Sequence, residues 1–196
     1  MKHPYVTRDL LTDFLQRLDS GFARPGRLYL IGETSQVFEN WRRWTPQVEF
    51  NASVALVDQE RFTEQVGELQ ARTGLAVYDE SPGDLIPLPE GYRTRARPVG
   101  GNASGNGRGD LTHLELYHFD PYSVAFRFVA RGDESDYDMV LKFLEHGWLT
   151  MDQMDAQLAE LLPRFSADTI QQDPSEFGRK YKGLGQMWRA VEARKT

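Results

Sequence analysis

Apolar positions lay out the elements of this chain. Leu10, Leu11, Phe14, Leu15 and Leu18 follow Thr7 at helical spacing, which predicts a capped helix running to about Ser20. "RLYLI" (27–31) is a continuous apolar run of strand length, and Gly32 ends it. Residues 33–42 are weakly helical. "QVEF" (47–50) then alternates, with Gln47 and Glu49 on one face and Val48 and Phe50 on the other. A helix from about Asp58 to Thr73 turns Phe62, Val66 and Leu69 inward. Gly74 stops it, and "LAVYD" (75–79) is a third strand.

Punctuation takes over next. "SPGDLIPLPEGY" (81–92) is a loop whose prolines hold the preceding residues extended. "VGGNASGNGRGD" (99–110) predicts a long connection between two strands, "TRARPV" and "LTHLELYHF". From Asp120, a cap followed by Pro121, the pattern is helical. Ser135 with Asp138 opens a second helix, stopped near Gly147, and Thr150 with Gln153 forms a capping box for a third. Asp173-Pro174 starts a fourth, with an apolar stripe from Phe177 through Tyr181, Leu184, Met187 and Trp188 to Val191. The chain thus divides into an α/β half, 1–118, and a helical region, 119–196.

Composition narrows the class. With 40% hydrophobic residues and 12% aromatic ones, a chain of 196 residues builds a packed core. Without cysteine it has no disulfide framework and no thiolate metal site. No apolar stretch reaches membrane-span length and the start lacks the apolar core of a signal peptide, so the expectation is a cytoplasmic protein with no membrane partner. A net charge of −6 disfavours non-specific nucleic-acid binding, although Arg93, Arg95, Arg97 and Arg108 are locally basic.

Candidate chemistry gathers at the first two strands. Residues i and i+2 of a strand share a face, so polar side chains at 47 and 49 can flank a cation, with a third acid from the neighbouring strand. A glycine turn into a helix presents N–H groups to phosphate. "RLYLIGETSQVF" leading to "TPQVEF" resembles the nucleotidyltransferase superfamily of DNA polymerase beta-like folds. It is similar, more closely, to a bacterial branch related to the abortive-infection toxin AbiEii. "SPGDLIPLPEGYRTRARPV" and "FDPYSVAFRFVARGDESDYDMVLKFLEHGWL" extend the likeness over residues 26–150.

That resemblance implies an α/β (α+β) fold: a nucleotidyltransferase-like mixed sheet flanked by helices, followed by a C-terminal helical bundle. It also implies Mg²⁺ and a nucleoside triphosphate in an active member. Phosphate would sit at Gly32, Thr34 and Ser35, and an anionic ligand near Arg127 and Arg131. The chain departs from the pattern at the metal holders. The family's first aspartate is Gln47, its second is Glu49, and the third falls on Tyr78 or Asp79 according to register. Glu33 stands where triphosphate oxygens would dock; at ~4 Å in an intermediate dielectric that repulsion is on the order of several kcal/mol. The expectation is a catalytically degenerate protein without a resident cofactor. It would act as a binding or regulatory module with a protein partner, toxin–antitoxin-like or defence-associated. Two alternatives stay open. One is an active enzyme modifying protein, tRNA or a small molecule, with Glu33, Glu49 and Asp79 as its acids and Glu49 and Asp79 holding the metal. The other is nucleic-acid binding through Arg93, Arg95, Arg97, Arg108 and the basic C-terminal stretch from Arg179 to Lys195.

Elsewhere the sequence offers less. His113 and Glu115 alternate on one strand face, too few for a typical metal site. His118 falls on the opposite face, and His146 suits a helix C-terminus. Arg131 and Asp136 read as a lock between consecutive helices.

Overall fold

The computed structural model describes residues 5–99, 111–165 and 172–195. The fold is mixed α/β and divides into two units, each discontinuous in sequence. The first comprises residues up to Ser81 together with Ala96–Phe119, and the second comprises Pro82–Arg95 and the chain from Asp120 onward. The segment Pro82–Arg95, which the division at 118 leaves in the α/β half, therefore belongs with the helices.

In the first unit β1 (Val6–Thr7) leads into α1 (Arg8–Phe22), β2 (Gly26–Leu30), α2 (Gly32–Phe38), β3 (Trp44–Thr45), β4 (Val48–Val54), α3 (Gln59–Thr73) and β5 (Val77–Asp79). After the second unit's helical turn α4 (Tyr92–Arg95), the chain returns with β6 (Arg97–Pro98) and β7 (Leu114–His118). Thr7 caps α1 by accepting the Leu10 N–H at 3.4 Å. Leu11, Phe14, Leu15, Leu18 and Phe22 are buried from α1, whereas Leu10, at the margin of the stripe, is 42% exposed rather than inward. Gly74 ends α3 in the left-handed region, its N–H on the Gln70 carbonyl.

The main sheet has the order β5-β4-β2-β7-β6. Strand β2 runs antiparallel to β4 and parallel to β7, and β4 runs parallel to β5. One face carries Leu28, Leu30, Val48, Phe50, Leu114 and Leu116 against α1 and α3 to form the core. Phe62 of α3 meets both Phe22 and Phe50 edge-on. The stretch "TRARPV" is mostly not strand. Its first two residues close the turn α4, and Pro98, lacking an N–H, restricts β6 to two residues at the sheet edge. The Gly- and Asn-rich connection from 100 to 110, with Arg108, lies outside the described residues.

The second unit is helical: α5 (Pro121–Arg131), α6 (Glu134–Glu145), α7 (Met151–Leu161) and α8 (Pro174–Ala193). Asp120 caps α5 through the N–H groups of Tyr122 and Ser123. The box that opens α6 is Asp133 with Asp136, not Ser135 with Asp138. Gly132 ends α5 at φ 80°, so Asp133 is the next residue placed to cap. At α7 only half of the expected box forms. Thr150 accepts the Gln153 N–H, while the Gln153 side chain accepts the Tyr122 hydroxyl instead of turning back. Phe177, Tyr181 and Leu184 of the α8 stripe are buried, and Met187, Trp188 and Val191 are half-buried.

Candidate functional site

The polar face of the main sheet is set by register. Arg27 and Tyr29 of β2 lie beside Glu115 and Tyr117 of β7, opposite to the leucine face. Arg27 pairs with Glu115 at 2.8 Å, and Tyr29 stacks on Tyr117 with ring centres 5.4 Å apart. Glu49 shares that face, and its partner on β5 is Tyr78. Gln47, two residues before Glu49, points the same way. Strand pairing thus brings together Gln47, Glu49 and Tyr78. Asp79 is registered with Phe50, on the core side, and its carboxylate accepts the Ala52 N–H at 2.9 Å.

Within this cluster an amide is bonded to a carboxylate. The Gln47 amide Nε2 donates to Glu49 Oε1 at 2.7 Å, and Glu49 is buried. Where two carboxylates would share a cation, a neutral amide N–H bonds one oxygen of the one carboxylate present. Tyr78, the third position, is a phenol and 44% exposed. A neutral amide, a single carboxylate and a phenol do not fit Mg²⁺, which demands strict oxygen geometry and negative ligands. Among the described residues no group of three or more His, Asp or Glu side chains is placed to hold a metal ion.

The glycine turn is also committed internally. Gly32 takes a positive φ of 53° at the start of α2, which spans seven residues. Gly32, Thr34 and Ser35 are all buried. The Thr34 hydroxyl accepts the Glu49 N–H at 2.8 Å and reaches the Gln47 carbonyl at 3.5 Å, pinning α2 to β4, and the Thr34 N–H closes a turn on Ile31. Glu33 does not stand bare before a phosphate site. Its carboxylate pairs with Arg42 at 2.9 Å and accepts the Thr45 hydroxyl at 3.1 Å. Of the acid set of the active alternative, Glu33 bonds Arg42 and Thr45, Glu49 bonds the Gln47 amide and Asp79 bonds the Ala52 N–H.

His118 ends β7 on the core face, 2% exposed, with Nε2 2.9 Å from Glu39 Oε1. Burial pulls the imidazole below its ordinary range, against the upward pull of Glu39. The same hydrogen bond holds the Glu39 carboxyl low. Neither Glu39 nor Arg42 carries a local sequence signal. Each finds its partner through the fold, His118 lying 79 residues from Glu39.

In the helical unit Arg131 reaches Asp136 at 2.9 Å and covers the Phe128 ring. Burial pushes the Asp136 carboxyl up while Arg131 pulls it down. This is the helix-to-helix lock that the spacing suggests, and it uses the arginine as a structural partner. Arg127 is half-buried on α5. Of the basic cluster, Arg95 is bidentate on Asp120 and donates to the Glu90 carbonyl, and Arg93 bonds the Tyr92 hydroxyl. The cluster is therefore not an open row of cations. No family model matches this chain, and no curated protein or solved structure matches it either.

Proposed function

We propose that this chain is a nucleotidyltransferase-like module that has given up metal-dependent transfer and works by binding. In this reading it is a regulatory partner of a toxin–antitoxin or defence-associated kind. The order strand, glycine turn, helix, antiparallel strand, helix, parallel strand supports the fold part of this reading. It gathers positions 47, 49 and 78 where the resemblance asks for three acids. One observation carries the functional part: the 2.7 Å bond from the Gln47 amide to Glu49. The neutral amide bonded to this carboxylate adds none of the negative charge that Mg²⁺ requires, and the Tyr78 phenol adds none either.

Calorimetric titration of the intact chain with ATP, CTP, GTP and UTP, each with Mg²⁺ or Mn²⁺, is expected to give no metal-dependent binding. The double variant Gln47→Asp/Tyr78→Asp restores the acids and is expected to gain Mn²⁺ binding. Micromolar metal-dependent nucleotide binding by the unaltered chain overturns the loss of transfer. A double variant that folds and gains no metal overturns the correspondence of the three positions.

A further inference from the structure

The helical unit contains a groove of about 710 Å³ between the first turns of α7 and one face of α8. Leu144, Leu149, Met151 and Trp188 supply its apolar lining. The α8 side is a continuous helix face, since Tyr181, Gly185, Trp188 and Glu192 follow one another at i, i+4, i+7 and i+11. At about 1.5 Å rise per residue the face is about 16 Å long, which matches about three turns of a second helix laid along it.

Two features specify the occupant. The first is Gly185, inside a 20-residue helix where glycine weakens the element. The backbone there does not require glycine. A Cβ at this position would meet Met151 Cε at 3.8 Å, an ordinary contact, so packing does not require it either. A bare backbone at the centre of an open face lets another chain approach closely. The second feature is charge. Asp152 and Asp155 line the α7 side, and Lys182 and Arg189 line the α8 side, which ends at Glu192. Asp155 accepts the Tyr181 hydroxyl at 2.7 Å. Among the described residues Asp152, Lys182 and Arg189 form no ion pair, so from Lys182 to Arg189 the α8 side keeps a charge opposite to that of the α7 side.

We propose that this groove is the docking site for an amphipathic α-helix of a partner protein. The partner helix has one apolar stripe, a basic flank that meets Asp152 and Asp155, and an acidic flank that meets Lys182 and Arg189. The site uses none of the residues around Gln47 and Glu49, so it stands or falls separately from the loss of metal binding.

The probes are three synthetic helical peptides of about 18 residues sharing one leucine stripe. One has a Lys flank and a Glu flank, one has Lys on both, and one has Glu on both. Either direction of lying is open to the mixed peptide, so it can always match the rims, whereas each single-sign peptide meets repulsion on one side. Fluorescence anisotropy with the full chain is expected to rank the mixed peptide about tenfold tighter than either control. Lys182→Glu/Arg189→Glu, at two exposed positions, is expected to shift the preference to the all-Lys peptide, and Gly185→Leu to weaken all three. Equal affinities, or a preference that survives the charge reversal, overturn the proposal. So does sedimentation showing that the chain pairs with itself and that Gly185→Leu returns it to monomer, since a second copy would then be the occupant.

Discussion

His118 illustrates how a single side chain acquires its properties from the fold. The neutral ring donates through Nε2 to Glu39, and burial opposes protonation. The sign of its effect on stability follows. Its folded affinity for a proton lies below the ordinary value of 6.5, so well above that pH both states are neutral at this site. As pH falls through that value the unfolded chain takes up a proton that the folded chain refuses, and stability drops. Glu39, held below its ordinary 4.5, adds a loss in the same direction at lower pH. Urea midpoints are expected to fall from about pH 7 to about pH 5.5, and His118→Gln is expected to remove that part of the slope. An unchanged slope in the variant would place the acid sensitivity elsewhere. Residue-level legibility was uneven for a physical reason. The pairing of Gln47 and Glu49 on one face follows from strand alternation, which is local. Asp19, by contrast, is buried and accepts the N–H groups of Thr112, His113 and Leu114 at 2.9, 2.8 and 2.7 Å, more than ninety residues away. Nothing in its neighbourhood, an amphipathic helix near its end, announces that role.

Among the elements, α5 shows best how local rules and distant partners combine. Asp120 and Pro121 are a readable helix start, and the cap forms. The same carboxylate also bonds the Ser123 hydroxyl at 2.7 Å and takes both arms of Arg95 at 2.9 Å, with its side chain wholly buried. Replacing Asp120 by Ala removes the cap and leaves a partly buried guanidinium unpaired. The expected loss is about 3 kcal/mol or more in thermal or denaturant unfolding. Arg95→Ala is expected to cost less, because Asp120 keeps the Ser123 hydroxyl and two N–H groups. The reverse order would mean that an uncompensated charge on the buried Asp120 carboxylate costs more than losing the cap and the pair together. Helices α1, α3 and α8 were legible because each couples an apolar period with a cap or a glycine stop. The start of α6 lies two residues before the one the spacing predicts because Ser135 and Asp133 are both good caps. The choice between them belongs to Gly132, whose left-handed turn fixes where the previous helix ends.

On the scale of the whole molecule, the division near residue 119 follows the change from mixed to purely helical periodicity. The return of Pro82–Arg95 to the helical unit does not. That segment has proline punctuation and no period, so its allegiance rests on contacts such as Arg95 with Asp120 and Arg164 with the Leu88 carbonyl at 2.9 Å. A fragment of residues 120–196 is therefore expected to show weaker helical circular dichroism per residue than its helices do in the intact chain. A synthetic 82–95 peptide added in trans is expected to restore part of that signal; full helicity without the peptide would show that the segment is dispensable. The sheet has a counterpart to this discontinuity. Strand β2 is flanked by β4 on one side and by β7 on the other, and Arg27 meets Glu115 across 88 positions of chain. During synthesis at about 5–20 residues per second, the second edge of β2 waits roughly 4–18 s for its neighbour to leave the ribosome. For that interval a nascent chain carries an unclosed apolar strand, and the ribosome-bound half-product is the form most exposed to chaperones and to misassembly.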